Sequence, residues 1–230
     1  MFIVGVYDDF YRADFKLKFL LQIIVAKIII DQGYVISNYH GLFGLYEVPW
    51  ILAQLSTVFV FLVIINAINF IDGIDGLAIT EVIKTILLIE FFSAGDTALS
   101  PLALLLVVSI LPLYYFNFKK EHKVFLGDGG SLLLGAIVSI YVFYALGSDF
   151  EFKPEFTVNK ALFAVVVLLY PLVDLLRVFI IRIKNGNSPF QPDKNHLHHI
   201  FHKKGVKPIY NLILIEIIST STILFLLIIT

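Results

Sequence analysis

Seven apolar runs, each close to the length of a bilayer crossing, divide this chain and constrain its fold more than any other feature. They lie at about residues 17–36, 50–69, 77–95, 101–117, 131–148, 160–182 and 209–229, where a transmembrane helix needs ~20 mostly apolar residues. In lipid a spanning segment has to satisfy its own backbone N–H and C=O groups, so such runs predict helices. A hydrophobic content of 59% and a mean hydropathy of +0.90 exceed the roughly half-apolar composition of soluble domains. The expected architecture is an all-α polytopic integral membrane protein with about seven transmembrane helices, forming one membrane-embedded domain over residues 1–230. The opening stretch Met1–Tyr7 is apolar but too short to cross. It has the character of the last turns of a helix, so an N-terminally truncated chain that opens on this stub is expected, with a misassigned start codon as the alternative.

The polar residues between the runs are not scattered. Asp8-Asp9, the stretch Asn66 to Ala78, the loop Phe125 to Ser131 and the group His196-Leu197-His198-His199 fall on one side of the membrane when crossings are counted. Basic residues test that count, because Lys and Arg concentrate in cytoplasmic loops. Twelve lie on the motif side (Arg12, Lys16, Lys18, Lys119, Lys120, Lys123, Arg182, Lys184, Lys194, Lys203, Lys204, Lys207) and two, Lys153 and Lys160, lie opposite. The motif loops are therefore expected to face the cytoplasm. A net charge of −1 provides no basic field for nucleic acid. The absence of cysteine excludes disulfides, thiol catalysis and cysteine-ligated zinc.

Each loop carries its own chemistry. Asp8 and Asp9 repel one another, which raises one pKa or attracts a cation; the same pair also suits a solvated helix end. Asn66, Asn69, Asp72 and Asp75 recur every three residues, and Gly73 and Gly76 break the helix among them. Four polar groups leaving an apolar segment cost several kcal/mol unless they find partners, which favours a functional reading. Asp128 stands between glycines at the start of a span, where free helical N–H groups suit a phosphate oxygen. Its carboxylate suits Mg²⁺, which takes one or two carboxylates plus substrate phosphates; an ordinary turn and N-cap is the competing reading. His196, His198, His199 and His202 crowd into seven residues among Lys194, Lys203 and Lys204. The basic neighbours favour an anion. Zinc is the minor alternative, since His198 and His202 have helical spacing but no His-Glu-x-x-His pattern.

Taken together and in this order, the four loops resemble the polyprenyl-phosphate N-acetylhexosamine-1-phosphate transferase family, a sibling of the phospho-MurNAc-pentapeptide transferases. The resemblance runs from Asp8 to about His202. It implies transfer of a sugar-1-phosphate from a UDP-N-acetylhexosamine to polyprenyl (undecaprenyl) phosphate with release of UMP, the initiating step of a cell-envelope polysaccharide. It also implies a multi-pass protein of the bacterial inner membrane whose single transferase domain has cytoplasmic active-site loops. Carried over by position, Asp8, Asp9, Asp72 and Asp75 are the catalytic candidates, and Asp128 is the Mg²⁺ ligand, with Mn²⁺ an alternative. Lys18, Asn66, Asn69, Asn117, Phe125, Arg182, His196, His198 and His199 are the substrate-binding candidates, with Phe125 at the position that packs against uracil. Gln22 matches a family glutamine. A homodimer is implied by sibling proteins, and no nucleic-acid partner is expected.

This chain departs from the family at Glu121-His122, where Pro-Ala is usual, and at Arg12, where the sibling branch has lysine. The family's opening helices and its Pro-x-Gly-Gly loop have no counterpart. Two alternatives follow: an inactive remnant of the same family, or a cation-coupled transporter using intramembrane charges such as Lys27, Asp31, Glu90, Asp174 and Glu216.

Overall fold

The computed structural model describes residues 1–11, 14–73, 76–119, 124–186 and 208–229. Its elements are helical: α1 (Phe2–Tyr11), α2 (Phe15–Asp31), α3 (Trp50–Ile71), α4 (Leu77–Phe92), α5 (Ser100–Ile110), α6 (Pro112–Asn117), α7 (Gly127–Leu146), α8 (Lys160–Val167), α9 (Leu169–Lys184) and α10 (Pro208–Ile229). A short 3₁₀ turn, Leu42–Gly44, lies in the loop before α3. Among the described residues the only strand-like pairings are two isolated bridges, Asn38 to Glu47 and Ser93 to Phe152. The all-helical membrane architecture expected from the apolar runs is what forms.

Each expected span coincides with a helix or a helix pair, but the helices differ in reach. Among the described residues, four stretches are long and apolar enough to cross alone: Trp50–Ile71, Ser100–Asn117 (α5 with α6), Gly127–Leu146 and Ile209–Leu227. A fifth is reached if α8 and α9 count as one broken span. The helices α2 and α4 have 17 and 16 residues, or about 24–26 Å at ~1.5 Å per residue, short of the ~30 Å hydrocarbon core. The turn at Gln32-Gly33 ends α2, and extended backbone at Ser93 ends α4. Among the described residues four or five crossings thus satisfy the length criterion, against the seven counted from hydropathy over the whole sequence.

The sharpest irregularity is the bend of 71° between α8 and α9. Pro171 explains it. A proline has no N–H to offer the carbonyl four residues back and its ring clashes with that carbonyl. The orphaned group is the carbonyl of Val167, and the Thr85 hydroxyl of α4 donates to it at 3.1 Å.

The core forms where α3 and α7 pack against each other, with α4, α8 and α10 closing over Ile64, Ile68, Ile86, Val138, Tyr141 and Phe163. On the other side α2 sets Ala26 and Ile29 against Phe61, Ile65 and Leu132. The helix α1 lies across the start of α7 so closely that a Cβ on Gly5 would collide with the backbone of Asp128 and Gly129. Only glycine fits there, and the contact brings the Asp8-Asp9 turn of α1 onto the loop that carries Asp128.

Candidate active site

Four separate stretches of chain meet at one end of the bundle. The C-terminus of α3 delivers Asn69 and Asp72, the N-terminus of α7 delivers Asp128 and Ser131, α1 delivers Asp8 and Asp9, and the first turn of α2 delivers Lys18. The Lys18 ammonium bridges two carboxylates, donating to Asp8 Oδ2 at 2.7 Å and to Asp128 Oδ2 at 2.5 Å. The other Asp128 oxygen, Oδ1, accepts from Asn69 Nδ2 at 2.8 Å. Asn69 is also within 2.8 Å of Ser131 Oγ, whose hydroxyl donates back to the Gly127 carbonyl. Both oxygens of Asp128 are therefore held, and the side chain is fixed before any ligand arrives.

The two adjacent aspartates are used differently. Asp9 lays its carboxylate across the start of α7, accepting from the backbone N–H of Asp128 at 2.9 Å and of Gly129 at 3.0 Å. Negative charge is favoured at a helix N-terminus. The N–H groups that the sequence marks as suited to a phosphate oxygen are therefore already engaged by the protein itself, a correction to that expectation. Asp8 instead faces Lys18 and Asp128. Burial and the hydrogen-bonded Asp128 carboxyl raise its pKa above the ordinary value, opposed by Lys18.

Asp72 caps the end of α3. Burial first, and then the charges of Asp128 and Asp9, push its carboxyl up to about 8. An acid with so high a pKa at a charge-dense site signals function more often than ordinary surface chemistry does.

Other predicted site residues lie around this centre. Asn66, one turn back along α3, donates to Gln22 Oε1 at 3.0 Å and to the Leu62 carbonyl at 2.7 Å. It joins α3 to the buried Gln22 of α2 rather than reaching Asp128 directly. Asn117 is 5% exposed and clamps two loops, accepting from the Gly76 N–H at 2.7 Å and donating to the Val124 carbonyl at 2.6 Å. Gly76 has φ +78, and a Cβ there would press on Tyr114 and Phe118, so this loop requires glycine. Phe125 is 57% exposed at the mouth of the Asp128 loop, an accessible ring of the kind a base can stack on. Arg182, in the last turn of α9, is buried, with its guanidinium carbon 5.3 Å from the centroid of the Phe70 ring, within cation–π range. Asp75, His196, His198 and His199 lie outside the described residues. Sequence reasoning missed Ser131 as a partner of Asn69; its position four residues after Gly127 on a helix start was the available signal.

Among the described residues, no three acids or histidines converge as a ready-made metal cage. The donor chemistry nevertheless fits Mg²⁺, a hard ion that completes its shell with phosphate oxygens and water. Asp128 and Asp72 are close enough for the charge of one to raise the pKa of the other. Lys18 already places a cation between Asp8 and Asp128, where positive charge is drawn.

Comparison with known proteins adds an independent line. Residues 1–146 match the family model described as glycosyl transferase family 4. The chain is 30% identical over 218 residues to the probable undecaprenyl-phosphate N-acetylglucosaminyl 1-phosphate transferase of Bacillus subtilis (strain 168), covering 90% of this chain and 59% of that protein. It is 28% identical over 214 residues to the undecaprenyl-phosphate alpha-N-acetylglucosaminyl 1-phosphate transferase of Salmonella typhi, covering 88% and 55%. It is 33% identical over 216 residues to the decaprenyl-phosphate N-acetylglucosaminephosphotransferase of Mycobacterium leprae, covering 85% and 54%. The chain spans a little over half the length of these relatives.

Proposed function

As this chain belongs to glycosyl transferase family 4, we propose that it transfers N-acetylhexosamine-1-phosphate from a UDP-sugar to polyprenyl phosphate, releasing UMP. The observation that carries this reading is the convergence of Asp8, Lys18, Asn69 and Asp128 from four separate stretches of chain onto one membrane-end site. Relatives that align with most of the chain are named as transferases of N-acetylglucosamine phosphate onto undecaprenyl or decaprenyl phosphate. The excess of basic residues on the motif side, twelve against two, supports a site at the cytoplasmic face of a bacterial inner membrane.

In this reaction an oxygen of the lipid phosphate attacks the β-phosphorus of the UDP-sugar. A new P–O bond joins the two phosphates, and the bond to UMP breaks, with UMP taking the electron pair. Asp8, which faces Lys18 and Asp128 at the site, is the residue placed to accept a proton from the acceptor phosphate. Lys18 offers its charge to the same phosphate, and Asn69 with Ser131 holds Asp128 in place. Mg²⁺, held by Asp128 with Asp72, would supply positive charge against the diphosphate and the departing UMP. Arg182 and the histidines His196, His198 and His199 are the candidates for the donor's phosphates, and Phe125 for its uracil. A nearly apolar cavity of about 230 Å³, lined by Tyr39, Phe43, Val60, Ile64, Leu168 and Leu172, lies toward the other end of the bundle. We assign it to the prenyl tail.

The test uses membranes expressing the chain, supplied with Mg²⁺, undecaprenyl phosphate and a panel of UDP-N-acetylhexosamines, with Asp128→Asn alongside. UMP release that needs the lipid and is lost in the variant is the expected result. No release from well-folded protein with any donor would refute catalysis by this chain.

A further inference from the structure

At the end of the bundle opposite the candidate site, two loops of equal length lie side by side and differ in charge. Residues 147–159, between α7 and α8, hold Asp149, Glu151, Lys153 and Glu155. Residues 34–46, between α2 and α3, hold no acid, lysine or arginine. The two loops are joined at His40. Its ring donates to the Leu146 carbonyl at 2.9 Å, and its own carbonyl accepts from Asn159 Nδ2 at 2.6 Å. Neighbours that differ so much in charge face different surroundings.

The uncharged loop is folded as lipid demands. The N–H groups of Tyr39 and Val48 pair with the carbonyls of Tyr46 and Ser37 around the Asn38–Glu47 bridge. Those of Gly41, Leu42, Gly44 and Leu45 bond within the tip, and the His40 N–H goes to Asn38 Oδ1. Irregular backbone at membrane depth is tolerated only where its polar groups find partners inside the protein. One bond gives the depth. The Ile36 N–H donates to the buried Thr57 hydroxyl oxygen at 2.9 Å. Thr57 is seven residues into α3, about 10 Å below the helix's outer end. The loop also follows α2, whose 17 residues fall short of a full crossing, so the chain leaves its helix before it leaves the hydrocarbon.

The tip carries the plainest sign. Phe43 has φ 54, a left-handed conformation that is unfavourable for a bulky side chain, and its ring is 88% exposed. In water the residue would combine backbone strain with a bare aromatic ring, where a glycine would serve the turn with neither. Against acyl chains the exposed ring is favoured. Tyr46 and Trp50 are exposed just after it, and Tyr and Trp favour the membrane–water boundary.

We propose that residues 34–46 form a lipid-inserted hairpin, with Phe43 among the acyl chains of the leaflet opposite the candidate site and Tyr46 and Trp50 at its headgroup boundary. The partner is the bilayer itself. The hairpin completes the crossing that α2 leaves short and sets the depth of the bundle, while the charged loop beside it stays in water. None of this depends on the transferase reading.

Trp50 is the one tryptophan of the chain, so Trp50→Phe gives a silent background. Phe43→Trp and, as a water-facing control, Glu155→Trp are added to it one at a time, and the full chain is reconstituted in phosphatidylcholine vesicles. The lipid is either plain or brominated near the headgroup end of its acyl chains, and iodide is supplied on both sides. Emission from the Phe43→Trp protein is expected to fall about twofold in brominated lipid and to resist iodide, as for an indole below the headgroups. The Glu155→Trp protein should do the reverse. Tyr46→Trp leaves Phe43 in place and decides the matter if Phe43→Trp does not fold; its emission should also fall in brominated lipid. Quenching of the hairpin indoles by iodide alone would put the tip in water. Shielding from both quenchers would mean that protein covers it, a second copy of the chain included. Either result overturns the proposal.

Discussion

Two lysines in this molecule each bridge a pair of carboxylates, and the pairs live in different surroundings. Lys18 joins Asp8 and Asp128, whose side chains are 15% and 30% exposed. Lys84 joins Glu81 and Glu216, at 0% and 16%. At the first bridge every Asp128 oxygen has a donor, and water can reach what the protein leaves open. At the second, each acid keeps one idle oxygen in the dark. The same three charged groups thus make an adaptable site where solvent and substrate can exchange, and a structural demand where they cannot. Ion pairs near water contribute little to stability, whereas a broken buried pair leaves an uncompensated charge.

Substitutions can pull the two bridges apart. The largest effect is expected at the open one: Asp128→Asn should lower UMP release about 10³-fold with a Tm close to wild type, and a variant retaining activity would remove Asp128 from the chemistry. Next come the lysines themselves. Lys84→Met should destabilise by about 3 kcal/mol, and Lys18→Met by about 1 kcal/mol. Activity normalised to folded protein should fall at least tenfold in Lys18→Met only. Equal stability losses in chemical unfolding would erase the distinction drawn between the pairs.

A third prediction follows from pH. Burial and the charges of Asp128 and Asp9 push the Asp72 carboxyl from its ordinary 3.8 up to about 8, so between those values the folded state binds more protons. Stability contributed by this group is full below about pH 4 and is lost as pH rises toward 8. For metal-free protein in micelles, Tm should fall from pH 5 to 8, and Asp72→Asn should flatten that fall. A slope unchanged in the variant would contradict the assignment. The smallest effect belongs to the elbow: Thr85→Val strands the Val167 carbonyl and should cost about 1 kcal/mol, read as a Tm drop of a few degrees.

The two clusters also differ in how far the sequence revealed them. Asp8, Asn69 and Asp128 stood in polar loops between apolar runs, where charge has no reason to gather unless it is used. Lys18 became visible through the family resemblance, because a single lysine at a helix start carries no signal of its own. At the buried cluster Glu216 attracted notice only as a charge inside a span, and Glu81 was not noticed at all. Its pairing with Lys84 is local, but Glu216 is 132 residues from Lys84 along the chain, beyond the reach of any spacing rule. The break at Pro171 could have been foreseen from a proline inside a hydrophobic run. The shortness of α2 and α4 could not, since hydropathy counts residues without locating the turns that end a helix.

The carboxylate of Asp9 across the start of α7 has a consequence for how ligands compete. It is a tethered tenant: its effective concentration is fixed by the chain, on the order of millimolar or more, and dilution cannot remove it. Stray phosphate in the cell therefore meets an occupied berth. On the proposed function, a UDP-sugar or lipid phosphate that lodges at this end of the bundle has to win its place with contacts made elsewhere. Selectivity against small anions is in this way written into the resting protein.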